Sequence, residues 1–119
     1  MELKEGMYVK YTRGAINGYV PPRIAKITDC SDKDLIKIDN GQVILKADIL
    51  KASYNIIDLI ELGDYVNGIE VIGKEFNNFN EEYLQCGVGD YVVCTYEIKD
   101  IKSIVTKEQF ENNVYRIGD

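Results

Sequence analysis

Two tyrosines and two arginines near the start of the chain form the grouping best suited to bind an anion. Tyr11 and Arg13 lie at the start of a glycine-containing stretch, residues 13–18, and Tyr19 and Arg23 follow it. A guanidinium group pairs bidentately with a phosphate, glycine N–H groups hold anions, and a tyrosine ring stacks on a base. These four side chains therefore form a candidate site for a nucleotide-type ligand. The alternative is a hairpin tip without a ligand, since the stretch lacks the lysine and serine ending of a phosphate-binding loop.

Charge is distributed unevenly along the chain. Residues 1–28 hold five basic and two acidic groups, whereas the remaining residues hold nine basic and eighteen acidic groups. The formal net charge is −6, so the phosphate backbone of a nucleic acid is repelled and general nucleic-acid binding is not expected. The long acidic part suits contact with a basic surface on another protein.

The residue types that support most catalytic and metal sites are scarce. Histidine is absent, which removes the commonest general base, the usual partner of a nucleophilic Ser or Cys, and the commonest zinc ligand. We therefore expect no enzyme activity, no cofactor and no metal site. The carboxylates between Asp29 and Asp34 lack the spacing of a calcium-binding loop.

The three cysteines are Cys30, Cys86 and Cys94, and their number and spacing fit neither a zinc site nor a disulfide framework. The sequence also lacks an apolar segment long enough to span a membrane and lacks a signal sequence. We therefore expect a cytoplasmic protein without membrane contact.

The pattern Gly-x-Tyr-Val occurs three times, beginning at Gly6, Gly63 and Gly89. A glycine with a positive φ, followed by Tyr and Val, predicts a turn that leads into a strand. The first two copies share further residues around them, and an Asp-Ile pair recurs at Asp48 and Asp100. These two repeats predict that the chain consists of two related units.

Short apolar segments separated by turn residues predict a mainly β fold, with two small SH3-like β-barrel units in tandem. We assign residues 1–58 to the first unit and 59–119 to the second; one compact domain is the alternative. Thr106 and Gln109 have the spacing of a capping box, which predicts a short helix over residues 107–112 near the C terminus. The predicted strands include 23–28, 35–38, 42–45, 55–60, 69–73, 91–96, 101–105 and 114–117, with one helical turn at 46–49 and a polar loop at 77–82.

Two segments, residues 55–68 and 101–111, resemble small uncharacterised accessory proteins that are encoded by phages and prophages of Gram-positive bacteria. The first runs Asn-Ile-Ile-Asp-Leu-Ile-Glu-Leu-Gly-Asp-Tyr-Val-Asn-Gly and the second Ile-Lys-Ser-Ile-Val-Thr-Lys-Glu-Gln-Phe-Glu. The resemblance is confined to these two segments and assigns a function to no residue. It implies a phage-encoded protein that acts on host machinery or host immunity.

Charge, composition and this resemblance together favour a non-enzymatic, counter-defence binding protein in the cytoplasm of the bacterial host. In this hypothesis an acidic surface binds a host defence protein and inhibits it. A first alternative is that the Tyr/Arg site sequesters a nucleotide-type immune signal. A second alternative is a structural role in virion assembly. Homo-oligomer formation is compatible with all three hypotheses.

Overall fold

The structure, a computed structural model, describes residues 2–13 and 20–113 of the 119-residue chain. The fold is mainly β, as predicted. The chain divides into two compact units, residues 1–59 and 60–119, and each described part contains one five-stranded antiparallel sheet. The boundary lies one residue after the predicted one.

The first unit contains five strands: β1 (Tyr8–Arg13), β2 (Val20–Asp29), β3 (Leu35–Ile38), β4 (Val43–Leu45) and β5 (Ile49–Ser53). Their order in the sheet is β4-β3-β2-β1-β5. The predicted hairpin between residues 35–38 and 42–45 is confirmed as β3 and β4. The predicted helical turn is a 3₁₀ turn, Lys46–Asp48, which leads into β5.

Alternation of side chains along the strands builds the core of the first unit. On β3, Ile36 and Ile38 are buried while Leu35 and Lys37 are exposed, because successive side chains of a strand point to opposite faces of the sheet. One face of the sheet therefore carries the apolar core, whose buried members are Met7, Val9, Tyr11, Ala25, Ile27, Ile36, Ile38 and Ile44.

The second unit repeats this plan with five strands: β6 (Tyr65–Val66), β7 (Ile69–Phe76), β8 (Glu82–Val88), β9 (Tyr91–Tyr96) and β10 (Ile104–Val105). Their order is β10-β6-β7-β8-β9. In each unit the first strand therefore pairs with the second and the fifth, and a 3₁₀ turn precedes the fifth. In the second unit that turn is Ile98–Asp100.

The glycine turns predicted before three strands are confirmed. Gly6, Gly63 and Gly89 have φ angles of +86°, +97° and +60°, and each precedes a strand that begins at the tyrosine of its pattern. The first two turns also share their hydrogen bonds. The N–H of Gly6 donates to the carbonyl of Ile27 at 3.0 Å, and that of Gly63 donates to the carbonyl of Val71 at 2.9 Å. The sequence repeat thus corresponds to a repeated local structure.

The prediction of a strand over residues 55–60 is wrong. Residues Ile56–Leu59 form a 3₁₀ turn, with Ile57 and Leu59 buried. The side-chain oxygen of Asn55 accepts a hydrogen bond from the N–H of Ile57 at 3.0 Å. Asn side chains offer the backbone this local alternative to a strand ladder, which a pattern of β-branched residues does not reveal.

The predicted strand over residues 101–105 is reduced to β10, its last two residues. The side-chain oxygen of Asn67 accepts the N–H groups of Lys102 at 2.8 Å and Ser103 at 3.1 Å. These two N–H groups therefore bond a side chain and not a neighbouring strand, so the strand begins only at Ile104. The predicted strand over residues 114–117 lies outside the described residues.

The short C-terminal helix is confirmed as α1, Lys107–Asn113. The N–H of Thr106 donates to Oε1 of Gln109 at 3.1 Å, and the N–H of Gln109 donates to Oγ1 of Thr106 at 3.2 Å. These reciprocal bonds are the predicted capping box. The ring of Phe110 stacks on Tyr65 of β6 with centroids 4.2 Å apart, so the helix packs on its own unit.

Within the described strands of each unit, the two outer strands of the sheet do not pair with each other. The sheets are therefore open in the part of the chain described, and closure into SH3-like barrels stays a prediction. No described helix has the length and apolar character needed to cross a bilayer.

Candidate binding surface

Two of the four residues predicted to bind an anion have described side chains. Tyr11 and Arg23 are register partners on β1 and β2. Tyr11 is 5% exposed and belongs to the core, so its ring has no open face for stacking, whereas Arg23 is exposed. The side chain of Arg13 and all of Tyr19 lie outside the described residues. The structure places the backbones of Tyr11 and Arg23 side by side on neighbouring strands, and the anion site stays a prediction.

The acidic loop before β3 uses its carboxylates to hold its own backbone. Oδ1 of Asp29 accepts the N–H of Ser31 at 2.8 Å and its hydroxyl at 2.7 Å, and these bonds lower the pKa of Asp29. Oδ1 of Asp32 accepts the N–H groups of Asp34 at 2.8 Å and Leu35 at 3.0 Å. Nowhere in residues 2–13 and 20–113 do three or more potential metal ligands cluster.

The two units differ sharply in charge. Residues 1–59 contain nine basic and eight acidic residues, a net charge of +1. Residues 60–119 contain five basic and twelve acidic residues, a net charge of −7. The negative charge of the protein is therefore a property of the second unit. A division of the charge at residue 28 does not reveal that the charge follows the unit boundary.

The edge strand β9 of the second sheet carries an exposed apolar surface. Its six residues, Tyr-Val-Val-Cys-Thr-Tyr, are uncharged. Tyr91 is 79% exposed, Val92 42% and Val93 61%, and Val88 at the end of β8 is 76% exposed. We call these four side chains the β9 surface. Several exposed apolar side chains on one hairpin are a common feature of interaction surfaces.

A shallow cavity of about 390 Å³ lies beside the C-terminal end of β9. Glu97 in its wall forms an ion pair of 3.4 Å with Lys99, and both side chains are at least half exposed. Aromatic rings, amide groups and a carboxylate together suit the cationic head of an arginine or lysine. The cavity is lined by Phe76, Asn77, Asn78, Tyr83, Thr95 and Glu97.

Cys86 and Cys94 lie opposite each other on β8 and β9, so their side chains point to the same face of the sheet. Cys86 is fully buried, and its burial, followed by the neighbouring thiol of Cys94, raises the pKa of Cys86 to about 11. The thiolate is the nucleophilic form of cysteine. Cys86 is therefore a packing residue at neutral pH.

The buried carboxylate of Asp64 is a structural feature that sequence reasoning missed. Oδ2 accepts the N–H of Glu61 at 2.8 Å, and Oδ1 accepts the N–H of Lys107 at 2.8 Å. Nζ of Lys107 in turn lies 2.9 Å from the carboxylate of Glu61. Asp64 thus joins the turn before β6 to the start of α1. The partner lies 43 residues away in sequence, and no local pattern signals such a contact.

In comparisons with known proteins, no family model, no curated protein and no solved structure matches the chain.

Proposed function

We propose that the chain is a non-enzymatic binding protein whose acidic second unit docks on a basic surface of a partner protein. The observation that carries the proposal is the separation of charge, with −7 on residues 60–119 against +1 on residues 1–59. A charged region of one sign accelerates encounter with a surface of the opposite sign and disfavours wrong partners. The first unit, which is nearly neutral, is not expected to contribute in this way.

The β9 surface adds an apolar contact area to the charged surface of the second unit. Protein interfaces combine an apolar centre with a polar rim. Tyr91 and Val93 form an exposed apolar centre on the second unit, and acidic residues flank the strand at Asp90 and Glu97. The proposed interface therefore combines exposed apolar side chains with acidic residues at both ends of the strand.

The two units are further proposed to be diverged copies of one SH3-like unit. Equivalent strand orders, the glycine turn before each first strand and the 3₁₀ turn before each fifth strand support this relationship. In this proposal, the surface residues of the second copy changed and made it acidic, while the strand order and the turns stayed the same.

For the biological setting we retain the hypothesis of a phage accessory protein that inhibits a host defence protein, which rests on the resemblance of residues 55–68 and 101–111. Sequestration of a nucleotide-type signal is ranked second, because one ring of the required site, Tyr11, is in the core.

The test is capture of partners from the bacterial host by the tagged chain, with chemical cross-linking and quantitative mass spectrometry. The informative variant is the triple charge reversal Glu75→Lys, Asp90→Lys and Glu111→Lys at exposed positions of the second unit. We expect a basic protein to be captured by the wild-type chain, to be lost from this variant, and to be captured less as salt rises.

The matched control makes the same change of charge on the first unit, with Glu2→Lys, Glu5→Lys and Asp34→Lys, all exposed. It should retain the partner. Equal loss from both variants, or retention by both, contradicts the proposal that the second unit carries the docking surface.

A further inference from the structure

Strand β9 lies at one edge of the described sheet of the second unit. In the sheet order β10-β6-β7-β8-β9 the strand pairs with β8 on one side and is the last described strand on the other. The pairing with β8 is regular over Cys94, Thr95 and Tyr96, and the register shifts at Val93, between the pairs Cys86–Cys94 and Gly87–Val92. The regular part of an edge strand presents alternate N–H and C=O groups to any strand that approaches it.

Short length and charge, which protect the other described edges, are both missing from β9, although its register shifts at Val93. The edge strand β4 has three residues and β10 has two, and β5 carries Lys51, whose Nζ donates to the carbonyl of Asp58 at 2.8 Å. Short length and charged side chains are the usual protections against strand addition. With six residues, no charge and no proline, β9 has neither of them. The exposure of Val93 at its middle leaves an apolar side chain for a partner to cover.

Charge at the two ends of β9 decides which partner fits. Asp90 precedes the strand and Glu97 follows it. If a second copy of the chain paired antiparallel through β9, Asp90 of one copy would approach Glu97 of the other at both ends. If the copies paired in parallel, each acid would approach its own counterpart. Like charges placed opposite each other across strands are destabilising, so a strand with basic ends fits better than a second copy.

We propose that β9 binds, by β-strand addition, an extended segment of a partner protein that has an apolar centre and basic ends. This inference rests on the proposed function and specifies the partner's chemistry. Main-chain hydrogen bonds to the open edge provide affinity, and alternate side chains provide specificity. A β-branched or aromatic residue of the segment covers Val93.

The cavity beside the end of β9 receives one arginine or lysine of that segment. Its wall includes Thr95 near the end of β9 and Glu97 just after the strand, together with the rings of Phe76 and Tyr83. An incoming guanidinium group would bond the carboxylate of Glu97 and lie against an aromatic face. The exposed pair between Glu97 and Lys99 is weak and does not block this exchange.

The test uses two fluorescein-labelled peptides and fluorescence anisotropy. One is Arg-Thr-Val-Thr-Val-Thr-Arg, and the other has glutamate in place of both arginines. We expect the arginine peptide to bind about tenfold more tightly than the glutamate peptide at low salt. Hydrogen exchange should show slower exchange of amides in residues 91–96 when the arginine peptide is present.

The informative variant is Val93→Arg, which places a positive charge at the middle of the edge. Its matched control is Leu50→Arg, which changes an apolar residue of similar exposure (55% against 61%) on β5, an edge strand of the first unit. Val93→Arg should abolish peptide binding, and Leu50→Arg should leave it unchanged. Circular dichroism of each variant shows whether the fold is retained. Should Val93→Arg unfold the chain, Val93→Thr, which keeps a β-branched side chain, replaces it and should weaken binding.

Failure of the arginine peptide to bind, equal binding of the two peptides, or binding that Val93→Arg does not affect, overturns the strand-addition proposal. A dimer in sedimentation that Val93→Arg dissociates would also overturn it, in favour of a second copy as the occupant. If Val93→Arg keeps the captured host protein while charge reversal of the second unit loses it, strand addition is wrong and the proposed function stands. If neither change affects capture, the proposed function itself fails.

Discussion

The carboxylate of Asp64 accepts a hydrogen bond of 2.8 Å from the backbone N–H of Lys107, the first residue of α1. Its other oxygen accepts the N–H of Glu61 at 2.8 Å, and the side chain is completely buried. One carboxylate therefore connects the turn before β6 to the helix that follows β10.

Replacing Asp64 with alanine should destabilise the protein. Two backbone N–H groups would lose a charged acceptor, and each unmade bond of this kind costs about 1–3 kcal/mol. We expect the free energy of unfolding to fall by about 3 kcal/mol, measured by urea denaturation. The control is Glu61→Gln, which removes the exposed ion pair with Lys107 but leaves both backbone donors of Asp64 in place, and it should cost about 0–1 kcal/mol. Equal losses from the two variants would show that the buried bonds have no special role.

Gly87 should not tolerate alanine, because a Cβ at this position would collide with the carbonyl oxygen of Tyr91 across the β8–β9 hairpin. We expect Gly87→Ala to reduce the free energy of unfolding by about 3 kcal/mol and to speed hydrogen exchange in β9. Gly89→Ala is the control, since Gly89 has a positive φ of +60° but open space around it; that change should cost about 1–2 kcal/mol. A larger loss of stability from Gly89→Ala than from Gly87→Ala would mean that Gly87 and Tyr91 are not in close contact.

The raised pKa of Cys86 predicts a pH-dependent reactivity. Burial, and then the nearby thiol of Cys94, raises this pKa to about 11, so iodoacetamide at about pH 9 should modify the half-buried Cys30 and Cys94 well before Cys86. Peptide mass spectrometry identifies the modified residue. Early modification of Cys86 in the folded protein contradicts the prediction.

The same pKa predicts a loss of stability in alkali. A buried neutral thiol stabilises the folded state fully below the unfolded pKa of about 8.5, and this contribution is lost as pH rises through about 11. The free energy of unfolding should therefore fall more steeply over this range for the wild type than for Cys86→Val. Parallel curves for the two proteins would show that the thiol is not responsible.

Replacement of Arg13 and Arg23 by alanine distinguishes the two binding hypotheses. If the acidic second unit binds the partner, the double variant should keep both its melting temperature and the captured basic protein, because it removes positive charge from the first unit only. Loss of function in a variant with an unchanged melting temperature would instead support the Tyr/Arg anion site. Circular dichroism melts and the capture experiment on the same preparation provide both measurements.

Local features of the fold were predictable because a few neighbouring residues determine them. The turn at Gly6 needs a residue that tolerates positive φ, and the start of α1 needs the hydroxyl of Thr106 and the amide of Gln109 three residues later. The interpretation of residues 55–60 was wrong for a related reason. A side-chain bond from Asn55 outweighed the strand preference of the isoleucines, and strand preference depends strongly on context.

The sequence by itself determined the mainly β class, the recurring turns, the capping box and the acidic character of the chain, since these depend on composition and on contacts between near neighbours. Tertiary structure decided that Tyr11 lies in the core, that Asp64 caps a helix 43 residues away, and that β9 is an edge strand of the described second sheet. The physical reason is that burial and edge position depend on strand order and register. Pairing between distant segments sets both, and no residue carries that information alone.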